Sequence, residues 1–509
     1  MKKNAFTLVE LLAIITVLAV ILVIAVPKII NTIKDAKMGS LKSSVILLAK
    51  DAEEEYGIRD AKGTLDQVKN PIKCEDVANI DDTYDKCQIK FDKEGNATVL
   101  LNANEKSKFG KIGCVGTKSK VECDNGEMTL SKRCTTPDKL EYNLKFVDGQ
   151  YTYTYNGSTG WSVVLTDKTS TDPVITELCG TINDKPIVSM YQMFYQSKAE
   201  SIDTSSFDTS SVTSMNSMFS DSAATEIKGL ENFDTSNVAN MNEMFRGSAA
   251  AALDLSGFDT SNVTTMHMML TSSSATEING LENFDTSKVT NMSSMFSRTK
   301  VTMLDLSNFD TSKVTDMSYM FNESAATEIK GLEKFNTSNV TSMSGMFLSS
   351  TATSLDLSSF DTSKVTTMYR MFLNSAVVSL NLSSFDTSNV TSMNSMFSES
   401  QAAEIIFGEK FNTNKVTNMG NMFYQSAATT LDLSSFDTSK VTDMGWMFWG
   451  SAAASLDLSS FDTSNVTDMN WMFYLSKATT GYARTQEDAD RFNASTTYRP
   501  SGLTFVVKS

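Results

Sequence analysis

Residues 354–372 read Ser-Leu-Asp-Leu-Ser-Ser-Phe-Asp-Thr-Ser-Lys-Val-Thr-Thr-Met-Tyr-Arg-Met-Phe, and this pattern recurs along more than half of the chain. Its first phenylalanine returns every 25 or 26 residues, at Phe207, Phe233, Phe258, Phe284, Phe309, Phe335, Phe360, Phe385, Phe411, Phe436 and Phe461. A fixed period in this range is typical of a solenoid, in which each coil buries its apolar face by stacking on its neighbours. Leu355 and Leu357 alternate with Asp356, which predicts a half-buried strand in each coil. We therefore predict a parallel β-solenoid of about 11–12 repeats.

Methionine is periodic as well. A Met-x-x-Met pair, usually followed by Phe, occurs twelve times between Met190 and Met472 and accounts for 24 of the 29 methionines. Methionine also suits adaptable binding grooves and copper(I) sites. Because these pairs recur in register with Val and Phe, stacking inside a solenoid explains them without a ligand. We predict that they form the core.

The residue between the two apolar strand positions is predicted to face outward and to form a column along the stack. We call it the strand column, and it consists of Asp203, Lys228, Asp254, Asn279, Asp305, Lys330, Asp356, Asn381, Ile406, Asp432 and Asp457. Neighbouring strands lie about 4.8 Å apart, so Lys and Asn between the acids reduce their mutual repulsion. The strand column is our candidate ligand face, and an ordinary solvated sheet is the alternative interpretation.

A second acidic column follows the repeat phenylalanine. Its members are Asp208, Asp234, Asp259, Asp285, Asp310, Asn336, Asp361, Asp386, Asn412, Asp437 and Asp462. Asp or Asn before Thr-Ser favours a turn in which the side chain accepts a backbone hydrogen bond. Calcium binding is the alternative, because that ion prefers several carboxylate oxygens.

The repeat pattern resembles the BspA-like leucine-rich-repeat family of bacterial surface proteins, over residues 190–475. The resemblance implies a parallel-stranded solenoid that acts as an adhesin, with an unknown protein or glycan as its ligand. That family often has Cys shortly after Met-Phe. This chain has Ser or Ala there, as at Ser222 and Ser324, so thiols between repeats are absent.

The N-terminus combines two lysines with a long apolar run. Residues 6–26 are almost entirely apolar, and Glu10 is their only charge. A run of about 20 apolar residues can just span a bilayer. A plain signal peptide would have a shorter run followed by small residues, whereas a helical pattern continues here towards Tyr56. A carboxylate in hydrocarbon is costly without a partner, and a free α-amine of a neighbouring subunit would be one.

This segment resembles the N-terminus of type IV prepilins, over about the first fifty residues. The resemblance implies that a prepilin peptidase cuts between Ala5 and Phe6 and methylates Phe6. It also implies that Glu10 pairs with the amine of an adjacent pilin subunit and that Pro27 kinks the helix. The family usually has Gly where this chain has Ala5. An uncleaved membrane anchor is the alternative.

The region between helix and repeats is predicted to hold a small antiparallel sheet, with a hairpin joining residues 88–91 to 97–101. All six cysteines lie outside the repeats, and their even number suggests disulfides. Fifteen full pairings stay open among Cys74, Cys87, Cys114, Cys123, Cys134 and Cys179. Because there is no CxxC pair and His267 is distant, we expect no metal site.

The predicted fold class is α+β, mainly β. Its parts are a leader (1–5), a pilin helix (6–57), a cysteine-bearing head (58–137), a join and N-terminal cap (138–189), the solenoid (190–475) and a C-terminal cap (476–509).

Composition narrows the function. The formal net charge of −16 disfavours a nucleic-acid surface. A single histidine makes triads and most general-base chemistry improbable, so we expect neither catalysis nor a cofactor. The prediction is a minor-pilin-like adhesin, held in the cytoplasmic membrane before assembly and then extracellular on a pilus or cell surface. A pseudopilin of a secretion or DNA-uptake machine is the alternative.

Overall fold

The computed structural model describes residues 26–61, 72–73, 84–91, 96–104, 106–107, 109, 112–125, 132–136, 138–494 and 499–508. The chain divides into two compact units, residues 1–132 and 133–509. The predicted leader and most of the predicted apolar helix, including Ala5, Phe6 and Glu10, lie outside the described residues. Within the described part of the chain, no helix has both the length and the hydropathy needed to cross a bilayer.

The first unit pairs one helix with one sheet. Helix α1 (Val26–Ala61) contains Pro27 in its first turn, and one face of it is buried through Leu41, Val45, Ala49 and Ala52. This spacing of four, four and three residues places all four side chains on one stripe of the helix. The stripe packs with buried residues of an antiparallel sheet whose strands follow chain order: β1 (Ile72–Lys73), β2 (Tyr84–Phe91), β3 (Ala97–Ala103), β4 (Ile112–Gly116) and β5 (Val121–Asn125).

The bounds of this helix differ from the prediction. The predicted helix ended at Gly57, whereas the helix of the structure continues to Ala61; the start predicted at Phe6 lies outside the described residues. A single glycine costs a helix only about 1 kcal/mol, which is too little to end one that packs on a sheet.

The second unit begins with a six-stranded sheet in the order β6-β10-β11-β9-β8-β7. Tyr151 and Trp161 of this sheet are buried in the same core as the repeats, and the Tyr151 ring meets Phe207 edge-on at 6.0 Å. The sheet therefore covers the first coil. Its strands are β6 (Lys132–Cys134), β7 (Lys145–Asp148), β8 (Tyr151–Tyr155), β9 (Trp161–Leu165), β10 (Cys179–Ile182) and β11 (Lys185–Ser189), with a 3-10 turn at Gly157–Thr159.

The solenoid core is built from stacked identical side chains. Every methionine of the twelve Met-x-x-Met pairs is buried except the partly buried Met469. The phenylalanines that follow the pairs stack face to face. The rings of Phe347 and Phe397 lie 5.7 and 5.9 Å from that of Phe372, and both are within 3° of parallel to it. The stack is interrupted at Leu270, which holds this position in its coil. The predicted methionine core is confirmed.

The strands pair differently from the prediction. A half-buried strand was predicted in each coil, but residues 354–357 and 430–433 form no strand. Regular pairing joins the other coils two by two: β12 (Ser201–Asp203) with β13 (Glu226–Lys228), β14 (Ala252–Asp254) with β15 (Glu277–Asn279), β16 (Met303–Asp305) with β17 (Glu328–Lys330), and β18 (Ser379–Leu382) with β19 (Glu404–Phe407). In the first three pairs the second strand runs into a left-handed glycine and a 3-10 turn, at Leu230–Asn232, Leu281–Asn283 and Leu332–Lys334. This turn bends the backbone away from the extended form that a further ladder requires.

Backbone pairing that continues along the whole stack occurs at a different position of the coil. Single parallel bridges link the residue before each Met-x-x-Met pair from Ser189 to Asp468 without a break. Coils that lack the repeat motif also stack at the N-terminal end, since β9 pairs with β11 and residue Val174 bridges to Ile202. The solenoid thus has about 14 turns rather than the predicted 11–12.

The C-terminal end is closed by β20 (Ser455–Leu458), β21 (Thr480–Ala483), β22 (Phe505–Val507) and helix α2 (Gln486–Asn493). A buried threonine column runs through the coils to this end, and each hydroxyl donates to the backbone carbonyl of the next coil: Thr209, Thr235, Thr260, Thr286, Thr311, Thr337, Thr362, Thr387, Thr413 and Thr438. Thr463, the last of the column, has no further coil to bond. Its amide and hydroxyl donate instead to the carboxylate of Asp488, a buried residue of α2.

Candidate functional site

The strand column faces outward along the solenoid. The register of the paired strands sets Asp203 beside Lys228 and Asp305 beside Lys330. Both lysines form ion pairs within their own strands, Lys228 with Glu226 at 3.3 Å and Lys330 with Glu328 at 3.7 Å. All these groups are well exposed, and such pairs contribute little to stability.

The acids of the strand column also hold turns. Oδ1 of each acidic member accepts a hydrogen bond from the backbone of the serine two residues later, as Asp305 does from Ser307 at 3.0 Å and Asp356 from Ser358 at 3.0 Å. The hydrogen bonds from these serines hold the pKa of both carboxyls below its ordinary value. Local architecture therefore accounts for this column before any ligand is invoked.

Coils of 26 residues make the same turn in a different way. Their extra residue is a glycine after the column position, and Gly280 has φ +95°. A Cβ on Gly280 would lie 2.5 Å from the carbonyl carbon of Leu255 in the preceding coil, so a side chain there would collide with backbone. The left-handed glycine replaces the Asp-Ser turn after Lys228, Asn279 and Lys330. Asn381 keeps the serine turn, and Gly408 in the 26-residue coil of Ile406 is not left-handed.

Asp432 and Asp457 are consecutive members of the strand column, with no Lys or Asn between them. The C-terminal cap supplies a cation to this pair of acids instead. Lys508 forms an ion pair with Asp457. This contact lowers the pKa of Asp457 against the opposing effect of burial, and it raises the pKa of Lys508.

The second acidic column consists of turns. Each member accepts the backbone N–H of the residue two positions later, for example Asp285 from Ser287 at 2.9 Å and Asp361 from Ser363 at 3.0 Å. The interrupting residue Asn336 accepts in the same way from Ser338. Hydrogen bonds from these serines lower the pKa of Asp285 and Asp361. Turn chemistry thus explains the column, including the places where Asn replaces Asp.

Metal-binding and catalytic groupings are sparse. Among the described residues, Cys134, Asp148 and Cys179 form the one group of three metal-ligating side chains close enough to share an ion, and the two cysteines are joined in a disulfide. Nδ1 of His267 lies 2.7 Å from the hydroxyl of Ser293, which also lies 2.6 Å from Oδ1 of Asn291. Ser293 is buried, so this pair serves the packing of its own coils.

The cysteines lie where they close local loops. Cys114 is bonded to Cys123 across the paired strands β4 and β5, and Cys134 is bonded to Cys179 across β6 and β10. Cys87 is also disulfide-bonded, and Cys74 lies outside the described residues.

A partly exposed aromatic cluster, which the sequence did not predict, lies on the last three repeats, and we call it the aromatic patch. Its members are Tyr424, Trp446, Trp449, Trp471 and Tyr474. The indoles of Trp446 and Trp471 lie 5.5 Å apart at 21°, and the rings of Tyr424 and Trp449 lie 4.6 Å apart at 10°. The available signal was position, because three of the four tryptophans of the chain fall within the last two Met-x-x-Met repeats, at positions that vary from coil to coil.

Two solved structures show distant similarity to this chain. The crystal structure of the pneumococcal vaccine antigen PcpA is 11% identical and covers 73% of this chain and 100% of its own, with a TM-score of 0.34. A leucine-rich cell surface protein from Faecalibacterium prausnitzii is 11% identical and covers 72% of this chain and 96% of its own, with a TM-score of 0.27. No curated protein shows significant sequence similarity to this chain.

One sequence family matches the repeats directly. Its description is "Mycoplasma protein of unknown function, DUF285", and it matches four overlapping stretches, residues 174–279, 219–330, 299–406 and 401–486. Together they cover more than half of the chain and coincide with the solenoid. The chain therefore belongs to the DUF285 family.

Proposed function

We propose that this protein is a cell-surface adhesin, in which the solenoid is displayed outside the cell and binds a macromolecular ligand. The proposal is supported by the difference between the inward and the outward positions of each coil. The inward Val, Met and Phe positions are nearly constant and fully buried, whereas the outward positions beside Met-x-x-Met change from coil to coil. A constant core beneath a variable surface suits the binding of a ligand along an extended surface rather than catalysis at a single site.

We further propose that the N-terminus anchors the protein as a minor pilin. In this account prepilin peptidase cleaves between Ala5 and Phe6, and Glu10 pairs with the amine of a neighbouring pilin subunit. The protein waits in the cytoplasmic membrane before assembly and then stands on the filament. The support is the sequence pattern of the first fifty residues, in which an apolar run tolerates one carboxylate.

Two further features favour an exported protein. Disulfides persist mainly in oxidising compartments outside the cytosol, and this chain has them at Cys114–Cys123 and Cys134–Cys179. The acidic balance keeps the molecule soluble and disfavours direct contact with nucleic acid.

The test is deletion of the gene followed by three measurements on the same strain: attachment to host cells and mucin, uptake of DNA, and secretion. We expect attachment to fall while uptake and secretion stay normal. Loss of uptake or secretion with normal attachment would assign the protein to a pseudopilus instead. As a gain-of-function arm, beads coated with the whole chain should attach to surfaces on which albumin-coated beads do not.

A further inference from the structure

We infer that the aromatic patch is a binding site for a neutral glycan. This inference deepens the proposed adhesin function and rests on it, because it names the class of ligand and the coils that bind it. The patch spans the three coils that begin near Met419, Met444 and Met469, and nothing in the solenoid's own packing requires aromatic residues there.

The fold does not require these aromatic residues. Trp446 holds a position occupied by Ser217, Ser294 and Ser395 in other coils, and Trp449 corresponds to Ser398. Both positions lie outside the Val-Met-Phe core. Trp446 is 38% exposed. Clustered exposure of large apolar side chains lowers solubility and marks interaction sites.

The second argument is backbone geometry. Trp446 has φ +61° and Trp471 has φ +59°, a left-handed conformation that is costly for bulky side chains and easy for Gly or Asn. The equivalent residue is left-handed in the other coils as well, for example Met268 at +55°, Tyr319 at +57° and Asn421 at +57°. The conformation therefore belongs to the solenoid, and the last two coils differ from the others in carrying tryptophan at this position.

The third argument is the shape of the patch around Trp446. One face of its indole stacks on Trp471, and the coil on its other side offers the small side chain of Asn421 at the same repeat position. Gly420 and Gly445 precede these two positions, so no side chain stands between the indole and the neighbouring column of bridging residues. The rings of Tyr424 and Trp449 lie 6.2 Å from the indole of Trp446, tilted by 44° and 36°, and the space beside them leaves Trp446 38% exposed.

The groups around this space are polar, and most are uncharged. The side-chain amides of Asn421 and Asn470 make no hydrogen bond to any described residue, and Gln425 is exposed. Residues 441–476 contain no Lys or Arg. Arg491 and Arg499 lie beside Trp471, and Arg491 donates to the backbone carbonyls of Thr463 and Val466. Both carboxylate oxygens of Asp443 already accept protein hydrogen bonds, from Gly445 and from Asn418, which reduces its capacity to bind a cationic peptide.

A neutral sugar ring matches this combination. Its C–H face is weakly positive and packs on the negative face of an indole, while its hydroxyls need donors and acceptors such as free amides. Rigid aromatic anchors surrounded by adaptable Asn and Gln are the usual composition of a recognition surface.

The test uses the whole chain and its own fluorescence, because three of its four tryptophans are in the patch and the fourth, Trp161, is fully buried in the N-terminal sheet. The probes are neutral tetrasaccharides of β-1,4-linked glucose, N-acetylglucosamine and mannose and of α-1,4-linked glucose, with sialyllactose and a tetra-arginine peptide alongside. We expect at least one neutral sugar to give a saturable spectral shift below about 10 mM. Trp446→Asn and Trp449→Ser should each weaken binding about tenfold. Tyr319→Ser, at the position equivalent to Trp446 but outside the patch, should leave binding unchanged.

Three outcomes would overturn the inference: no response to any neutral sugar, a response to the tetra-arginine peptide alone, or equal binding by the patch variants. The bead assay separates this failure from failure of the adhesin proposal. Beads coated with the Trp446→Asn chain that attach as well as the parent would remove the glycan site and leave the adhesin role standing. Parent beads that attach to nothing would remove the adhesin role.

Discussion

The stacked phenylalanines make a sharp prediction at Phe372. Its ring is fully buried between Phe347 at 5.7 Å and Phe397 at 5.9 Å. Replacing a buried Phe by Ala costs about 3–5 kcal/mol. We expect about 4 kcal/mol for Phe372→Ala, because two near-parallel ring contacts of roughly 0.5–1.5 kcal/mol each are lost within that total. Phe372→Leu should cost about 1.5 kcal/mol or less, since the chain itself places Leu270 at this repeat position.

The assay is hydrogen exchange followed by mass spectrometry on the intact chain. Because coils couple only to their neighbours, the loss should stay local. Backbone amides between residues 347 and 397 should exchange up to about a thousandfold faster in Phe372→Ala, while those near Phe207 keep the parent rate. Unchanged protection around Phe372, or equal damage from Ala and Leu, would refute the account of the core as a stack of interdependent rings.

Three further predictions follow from the turns and the cap. Gly280→Ala should lower the free energy of unfolding by more than about 1 kcal/mol, because its φ is +95° and the new Cβ would meet backbone. Gly502→Ala, where no atom lies within 4 Å, is the matched control for thermal unfolding. Asp488→Ala should destabilise the C-terminal coil by about 3 kcal/mol in urea unfolding, since it strips a buried charged acceptor from the end of the threonine column; an unchanged midpoint would contradict the cap assignment. Because serine hydrogen bonds depress the pKa of Asp361 in the fold, its stabilising contribution is complete above the unfolded-state pKa and is lost as the pH falls through the folded-state value. Asp361→Asn should therefore keep the turn and make acid unfolding less steep, as followed by circular dichroism.

The repeat period was sufficient to predict the solenoid and its core. A side chain that recurs every 25 or 26 residues must stack on its own copy, so Met and Phe could be placed without knowing any coordinates. The turn role of the second acidic column was predictable for a similar reason, because Asp-Thr-Ser bonds within itself.

Other features depend on contacts between neighbouring coils, which the sequence of a single coil does not show. In three of the strand pairs, a left-handed glycine such as Gly280 and a 3-10 turn follow the second strand, and no local pattern reports that a Cβ there would meet the preceding coil. The ion pair of Lys508 with Asp457 joins residues 51 positions apart. The aromatic patch was not predicted because the predictions rest on the residues that the repeats share, whereas the patch consists of residues in which three coils differ from the others. A repeat protein carries its specificity in such departures from its own consensus.

The central claim, that a pilin-like N-terminus displays the solenoid outside the cell, is tested most directly by the mass of the N-terminal peptide in material sheared from whole cells. The account predicts a peptide that begins at N-methylated Phe6, recovered from the sheared surface fraction. A peptide that begins at Met1 and stays with the cytoplasmic membrane would contradict it.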